Sequence, residues 1–222
     1  VSYGATIVRQ LEASGLYSIN GSVSLARSWD KLRSLQVLSK AGVTVPKTIM
    51  SRDDEVAESF LDVIGLPCIV RSTVGYGDGS SVLAETRSSA VSVMKAFSVS
   101  NKTFIVQEYV RSEGGIMAAY VLGSSIAASM QLPAINSDEV EKAKPLSENQ
   151  KKIALKAAKS LGLSFCRVEL GGNTDRPVVI DVNPVPGLET IERVTKRNIA
   201  EKLVEYIENS ARRQPKKDKI GA

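Results

Sequence analysis

Residues Val178–Glu192 read VVIDVNPVPGLETIE: an apolar run meets an acid at Asp181 and an amide at Asn183, then stops at a Pro-x-Pro-Gly turn. Side chains two apart on a strand project to the same face. Asp181 and Asn183 can therefore address one hard cation, which for magnesium means oxygens at about 2.1 Å. The run before it, SFCRVELGG (164–172), reads as the adjacent strand across the turn GNTDR and offers Glu169 as a third oxygen donor. An Asp and an Asn at a strand terminus also suit a plain turn, and the stretch alone leaves both readings open.

Composition narrows the chemistry. The chain has 222 residues and no histidine, which excludes Ser-His-Asp and Cys-His catalysis and histidine-bound zinc. Acid–base work must come from carboxylates, lysines or the substrate. Cys68 and Cys166 lie far apart inside apolar runs, without CxxC spacing, and read as buried core thiols in a reducing cytosol. No apolar run approaches the roughly 20 residues that a membrane span needs, and no signal peptide opens the sequence. The expectation is a cytoplasmic protein.

The net charge of +5 is carried by the C-terminal end, where nine Lys/Arg face four Asp/Glu from Arg193 onward. A solvated, disordered tail over 213–222 is the simple reading, and a basic arm for an anionic partner such as nucleic acid is the alternative.

Apolar spacing at Leu25, Trp29, Leu32, Leu35, Val37 and Leu38, with a Gly42 stop, predicts a helix from about Ser24 to Ala41. Before it, an amphipathic helix leads to a short strand at Tyr17–Ile19. Further on, Lys47–Met50, LPCIVRS, SVLAET and KTFIVQEYV read as strands, with DDEVAESFLDVIG and RSSAVSVMKAFS as helices. GGIMAAYVLGSSIAASMQL reads as a hairpin about Gly123-Ser124, INSDEVEKAKP as a polar loop and ENQKKIALKAAKSLG as a helix. The last helix, NIAEKLVEYIENSARR, places Ile199, Leu203, Val204 and Ile207 on its core side. Interleaved helices with frequent hairpins give an α+β class.

Two further constellations bear on function. LPCIVRS ends in Arg71 and runs into TVGYGDGSS, whose Gly75, Gly77 and Gly79 could bring backbone N–H groups to a phosphate, although GxxxxGK[ST] is absent. A flexible hairpin loop is the alternative. Gln107, Glu108, Tyr109 and Val110 form a strand end able to hydrogen-bond a purine edge, or an ordinary strand end.

In order and spacing, the segments SWDKLRSLQVLSKAGVTVP, IVRSTVGYGDGSSVLAET, IVQEYV and VVIDVNPVPGLETIE resemble the ATP-grasp ligases of the RimK type. The resemblance spans essentially the whole chain. It implies an ATP-grasp fold of two α+β subdomains clasping a nucleotide. Residues 1–22 would be the remnant of a mostly missing N-terminal domain. Residues 23–107 would hold the first helix and the small subdomain, which begins near Pro46, and 108–212 the large one.

The resemblance also implies the site. Lys31 and Arg71 would be the catalytic, phosphate-contacting cations, Gly75, Gly77 and Gly79 the phosphate loop, and Gln107, Glu108, Tyr109 and Val110 the adenine segment. Glu169, Asp181 and Asn183 would bind the metal, with ATP and Mg2+ or Mn2+ as cofactors. The implied activity is an ATP-dependent carboxylate–amine ligation through an acyl phosphate. It would add an amino acid such as glutamate to a protein C-terminus or a small molecule. No membrane or nucleic-acid partner is implied, and a homo-oligomer is left open.

The sequence departs from the resembled family at Arg71, where the family has a lysine, at Glu169 and Asp181, where it has Asp and Glu, and at two stretches. Where the family shows Asp-Ile-Arg, this chain has Ile116-Met117-Ala118. Where the family has an arginine-rich loop, it has MQLPAINSDEVEKAKP, with Gln131 at a basic position. Such cations neutralise charge during phosphoryl transfer, so a degenerate domain that binds nucleotide or a partner without ligating stands as the alternative.

Overall fold

The computed structural model describes residues 2–73, 81–112, 115–133 and 140–213. Gly75, Gly77, Gly79 and the tail beyond 213 lie outside these residues. Among the described residues the strands form two antiparallel sheets, and the α+β expectation holds.

The smaller sheet has the order β1-β4-β2-β3, from β1 (Thr48–Ser51), β4 (Phe104–Glu108), β2 (Cys68–Ser72) and β3 (Ser81–Ala84). Its inner face packs Cys68, Val70, Phe104 and Val106 against helices α4 (Asp54–Ser59), α5 (Leu61–Ile64) and α6 (Arg87–Val99). The single helix expected over DDEVAESFLDVIG divides at Phe60, which ends α4 and precedes α5.

The larger sheet runs β7-β6-β5-β8-β9, from β7 (Lys142–Ala143), β6 (Ser125–Leu132), β5 (Ile116–Leu122), β8 (Phe165–Gly172) and β9 (Pro177–Asn183). One face, with Met117, Ala119, Val121, Cys166, Val168 and Val182, is covered by α7 (Glu148–Leu161). A Ser147/Gln150 capping box starts α7, and Gly162 ends it in the left-handed conformation that glycine adopts without strain. The other face, with Ala118, Tyr120, Ala128 and Met130, meets Ile191 of α8 (Glu189–Thr195) and Ile199 of α9 (Ile199–Arg213).

Four further local expectations need correction. No strand forms at Tyr17–Ile19, which follows α1 (Ser2–Ala13) as a loop leading into Asn20. The polar stretch INSDEVEKAKP supplies β7, because Lys142 and Ala143 add to the edge of β6. On α9, Val204 is exposed, and Leu203 and Tyr206 pack toward the core with Ile199.

The fourth correction matters most for the site. The helix expected over 24–41 is two helices, α2 (Ser22–Trp29) and α3 (Lys31–Lys40), broken at Asp30. Asp30 is extended, with φ −83° and ψ 109°, and its carboxylate accepts from Arg33 N at 3.0 Å as the N-cap of α3. Apolar periodicity runs through the break because both helices face the same core. The capping acid turns the chain so that Lys31 becomes the first residue of α3.

Candidate nucleotide and metal site

Lys31 is placed against the preference of its own helix, since a cation at a helix N-terminus opposes the helix dipole. Its environment supplies the compensation. Lys31 N donates to Thr73 O at 3.2 Å, at the end of the segment leaving β2. Its ammonium donates to Asp181 Oδ1 at 2.6 Å and lies 2.5 Å from Oδ2. The Lys31 side chain is only 5% exposed. Burial lowers its proton affinity, and the Asp181 charge works the other way.

Asp181 stands in register with Glu169, and Asn183 with Arg167, across the β8–β9 ladder. Cross-strand partners share a face, so these four polar side chains line one side of the sheet. A register shift between Glu169 and Leu170 lets Ile180 bulge just before Asp181. Burial alone would raise the Asp181 pKa, but Lys31, Arg71 and hydrogen bonds from Lys31 and Val182 N hold it below the ordinary carboxylate range. Glu169 moves the opposite way, raised by burial and by the facing Asp181 despite Arg167 and Lys31.

Arg71 reaches the same carboxylate from β2, with Nη1 at 4.0 Å from Asp181 Oδ2. Its buried Nε and Nη2 have no hydrogen-bond partner among the described residues. A guanidinium with two unmet donors beside a buried lysine is suited to a polyanion.

The structure brings Lys31, Arg71, Glu169 and Asp181 into one cluster, with Asn183 next along the strand. Asn183 Oδ1 accepts from Val185 N at 2.9 Å and so shapes the proline turn. The turn is also held by Tyr120, whose hydroxyl donates to Gly187 O at 3.2 Å. Among the described residues there is no group of three or more His, Cys, Asp or Glu suited to a metal. The set here is two converging carboxylates and an amide oxygen. It fits a magnesium ion that keeps positions for substrate phosphates.

The expected adenine segment is split by its surroundings. Gln107 is buried, paired to β1 and β2, and its amide donates to Thr48 Oγ1 at 3.1 Å. Glu108 accepts from Lys47 N at 3.1 Å. Tyr109 and Val110 leave the ladder and run toward β8. There an added Cβ at Gly171 would stand 2.6 Å from Ile180 Cδ1, 2.9 Å from Ser112 Oγ and 3.0 Å from Val110 Cγ1, so any larger residue would push these side chains aside. Ser112 Oγ accepts from Gly172 N at 3.0 Å.

The sequence reading missed two residues. Asn20 is buried and makes four hydrogen bonds, donating to Phe165 O and Pro184 O and accepting from Ser164 N and Phe165 N. It ties the start of β8 to the turn after β9. Arg167 donates through Nη2 to Glu169 Oε1 at 2.6 Å. Its two-residue spacing from Glu169 on a strand was the available signal. Both thiols are free and buried, as expected of core cysteines, with burial pushing Cys166 up to about 12.

Two antiparallel sheets meeting at Lys31, Arg71 and a carboxylate pair define the ATP-grasp class of ligases. Within it, the chain belongs to the RimK-like ATP-grasp domain family, whose profile matches residues 28–207. A probable alpha-L-glutamate ligase of Shewanella loihica is 36% identical over 220 residues, covering 95% of this chain and 73% of that protein. The fold is similar to a D-alanine–D-alanine ligase of Bacillus anthracis complexed with ATP. That match has a TM-score of 0.78 at 18% identity, over 95% of this chain and 76% of the other. It is also similar to the ATP-grasp ligase PsnB complexed with a minimal precursor, Mg and ADP, with a TM-score of 0.75 at 20% identity, over 94% and 67%. Among the described residues no helix is long and apolar enough to cross a membrane.

Proposed function

We infer that this chain joins a carboxylate to an amine at the expense of ATP, with an acyl phosphate between the two half-reactions. The observation that carries this reading is the buried Arg71 guanidinium, with two donors unmet among the described residues, beside Lys31 and two in-register carboxylates. Lys31 and Arg71 would hold the β- and γ-phosphates. Tyr109 and Val110, free of the ladder, would offer backbone groups to adenine. Glu169, Asp181 and Asn183 would hold magnesium, which when bound neutralises phosphate charge.

In the first half-reaction a carboxylate oxygen of the acid attacks the γ-phosphorus, and the bond to the β–γ bridging oxygen breaks to release ADP. In the second, the amine attacks the acyl carbon, an amide forms, phosphate leaves and the amine gives up its proton. No protein nucleophile is required, which suits a chain without histidine. The relatives named probable alpha-L-glutamate ligase support glutamate as the amino acid added. The nucleotide would sit between the sheet of residues 48–108 and that of 116–183, with subdomain boundaries proposed near residues 22 and 107.

A second reading, nucleotide binding without ligation, draws on β5, where Ala118 is fully buried and the 116–118 stretch carries no charge. An ADP-release assay with glutamate and candidate acceptors separates the two. The ligase reading predicts acceptor-dependent turnover above the Asp181→Ala and Asn183→Ala backgrounds, and magnesium-ATP binding without turnover supports the alternative.

A further inference from the structure

Arg167 lies on the far side of the carboxylate pair from Lys31 and Arg71. Lys31 and Arg71 contact Asp181, Asp181 faces Glu169, and Arg167 contacts Glu169. Arg167 is in register with Asn183 on one neighbouring strand and Tyr120 on the other, so its guanidinium shares the face of the site. Ala118, where family resemblance calls for a cation, stands opposite Glu169 on that face. The cation absent from β5 is thus present one strand over.

The guanidinium is only partly used. Nη2 is fixed by Glu169 and the guanidinium also hydrogen-bonds Tyr120, whereas the buried Nε has no partner among the described residues. A side chain kept only to hold Glu169 and Tyr120 would still leave a desolvated donor unmet, which folded proteins rarely tolerate. The side chain remains 28% exposed, so the guanidinium borders open space at the site although Nε itself is buried. A planar fork with one N–H free, beyond the metal ligands from the phosphate cations, matches a carboxylate better than a second polyphosphate.

We propose that Arg167 binds the carboxylate of the acid substrate, its guanidinium holding one oxygen while the other faces the γ-phosphate. The assignment rests on the ligase reading above. It makes Arg167 a catalytic residue and identifies the acid-binding end of the site, with Tyr120 and the Gly187 turn as its wall.

The test follows Arg167 Nε–H by NMR in arginine-labelled protein saturated with magnesium-ADP, the resonance being assigned by its loss in Arg167→Lys. Three probes are added: N-acetyl-L-glutamate, which can act only as an acid; L-glutamate, which also carries an amine; and the uncharged N-acetyl-L-glutamine amide. A downfield shift with N-acetyl-L-glutamate and none with the amide supports the proposal. No shift with either acid overturns it, and a shift with L-glutamate alone overturns the assignment to the acid.

In turnover, Arg167→Gln raises KM for the acid by about tenfold or more, the loss of one charge-assisted hydrogen bond. Arg167→Lys recovers part of that loss, and magnesium-ADP affinity stays within about twofold because a phosphate contact is not involved. An unchanged acid KM, or a parallel loss of magnesium-ADP affinity, would reduce Arg167 to a counter-charge for Glu169. If the wild type binds magnesium-ADP but never turns over, the ligase reading falls, and the NMR shift still decides Arg167.

Discussion

Lys31 and Asp181 form a buried pair whose partners come from opposite ends of the chain, and their value is clearest when one is removed. Either Lys31→Met or Asp181→Asn leaves an uncompensated group in a desolvated place and should cost about 3–5 kcal/mol. The double variant should cost clearly less than the sum, since the first substitution has already removed the interaction. Urea unfolding of the four proteins in metal-free buffer measures this, and additive losses would show that the two groups do not depend on each other. Asn20 makes a second residue-scale case. Asn20→Ala strands two N–H and two C=O groups at the junction of β8 and the proline turn. The expected loss is about 3 kcal/mol, because several buried partners lose their bonds together. Thermal unfolding checks it, and a loss under about 1 kcal/mol would mean that water replaces the amide. Asn20 carried no sequence signal of its own, since an asparagine in a loop looks ordinary until the packing is known, and Arg167 offered only its two-residue spacing from Glu169. Asp181 and Asn183 could be singled out because strand periodicity places them together, and Glu169 because its strand precedes theirs across the GNTDR turn.

The elements were legible where a single periodicity governed them. The strands of both sheets and helices α6 and α7 lie close to where apolar spacing and caps put them. The failures share a physical cause, which is tertiary contact overriding local pattern. At Asp30 the N-cap and the Lys31–Asp181 pair break a helix whose apolar stripe continues unbroken. At 142–143 the exposed edge of β6 recruits a polar segment into a strand. The start of α2 shows the same dependence, because its N-cap residue Gly21 has no side chain to cap with. Glu12 of α1 does the work from outside, accepting from Ser22 N at 2.9 Å, Ser22 Oγ at 2.5 Å and Ser18 Oγ at 2.6 Å. Burial raises the Glu12 pKa somewhat, but the three hydrogen bonds and Arg9 outweigh it and leave the folded value below the ordinary one. The folded state therefore binds fewer protons than the unfolded chain, and the contribution is fully present above the unfolded pKa. It is lost as pH falls through the depressed folded value. Glu12→Gln should cost about 1 kcal/mol at neutral pH. The gap to wild type should close in unfolding measurements carried below that value, and a gap independent of pH would contradict the capping role.

At the scale of the whole molecule, one sheet brings Arg71 and the segment that starts at Gln107, the other brings the carboxylates, and α3 brings Lys31 to both. The clasp could be anticipated from the order of its pieces along the chain, whereas Arg167 at its acid-binding end could not. The central claim is that the clasp activates a carboxylate by phosphorylation, and oxygen transfer reports that step directly. An acid substrate labelled with 18O in its carboxylate is incubated with magnesium-ATP and the amine, and the released phosphate is examined by mass spectrometry. The account predicts one 18O in each phosphate for every amide formed, with no labelled phosphate from Asp181→Ala. Amide formation with unlabelled phosphate, or phosphate release indifferent to the acid, would contradict it.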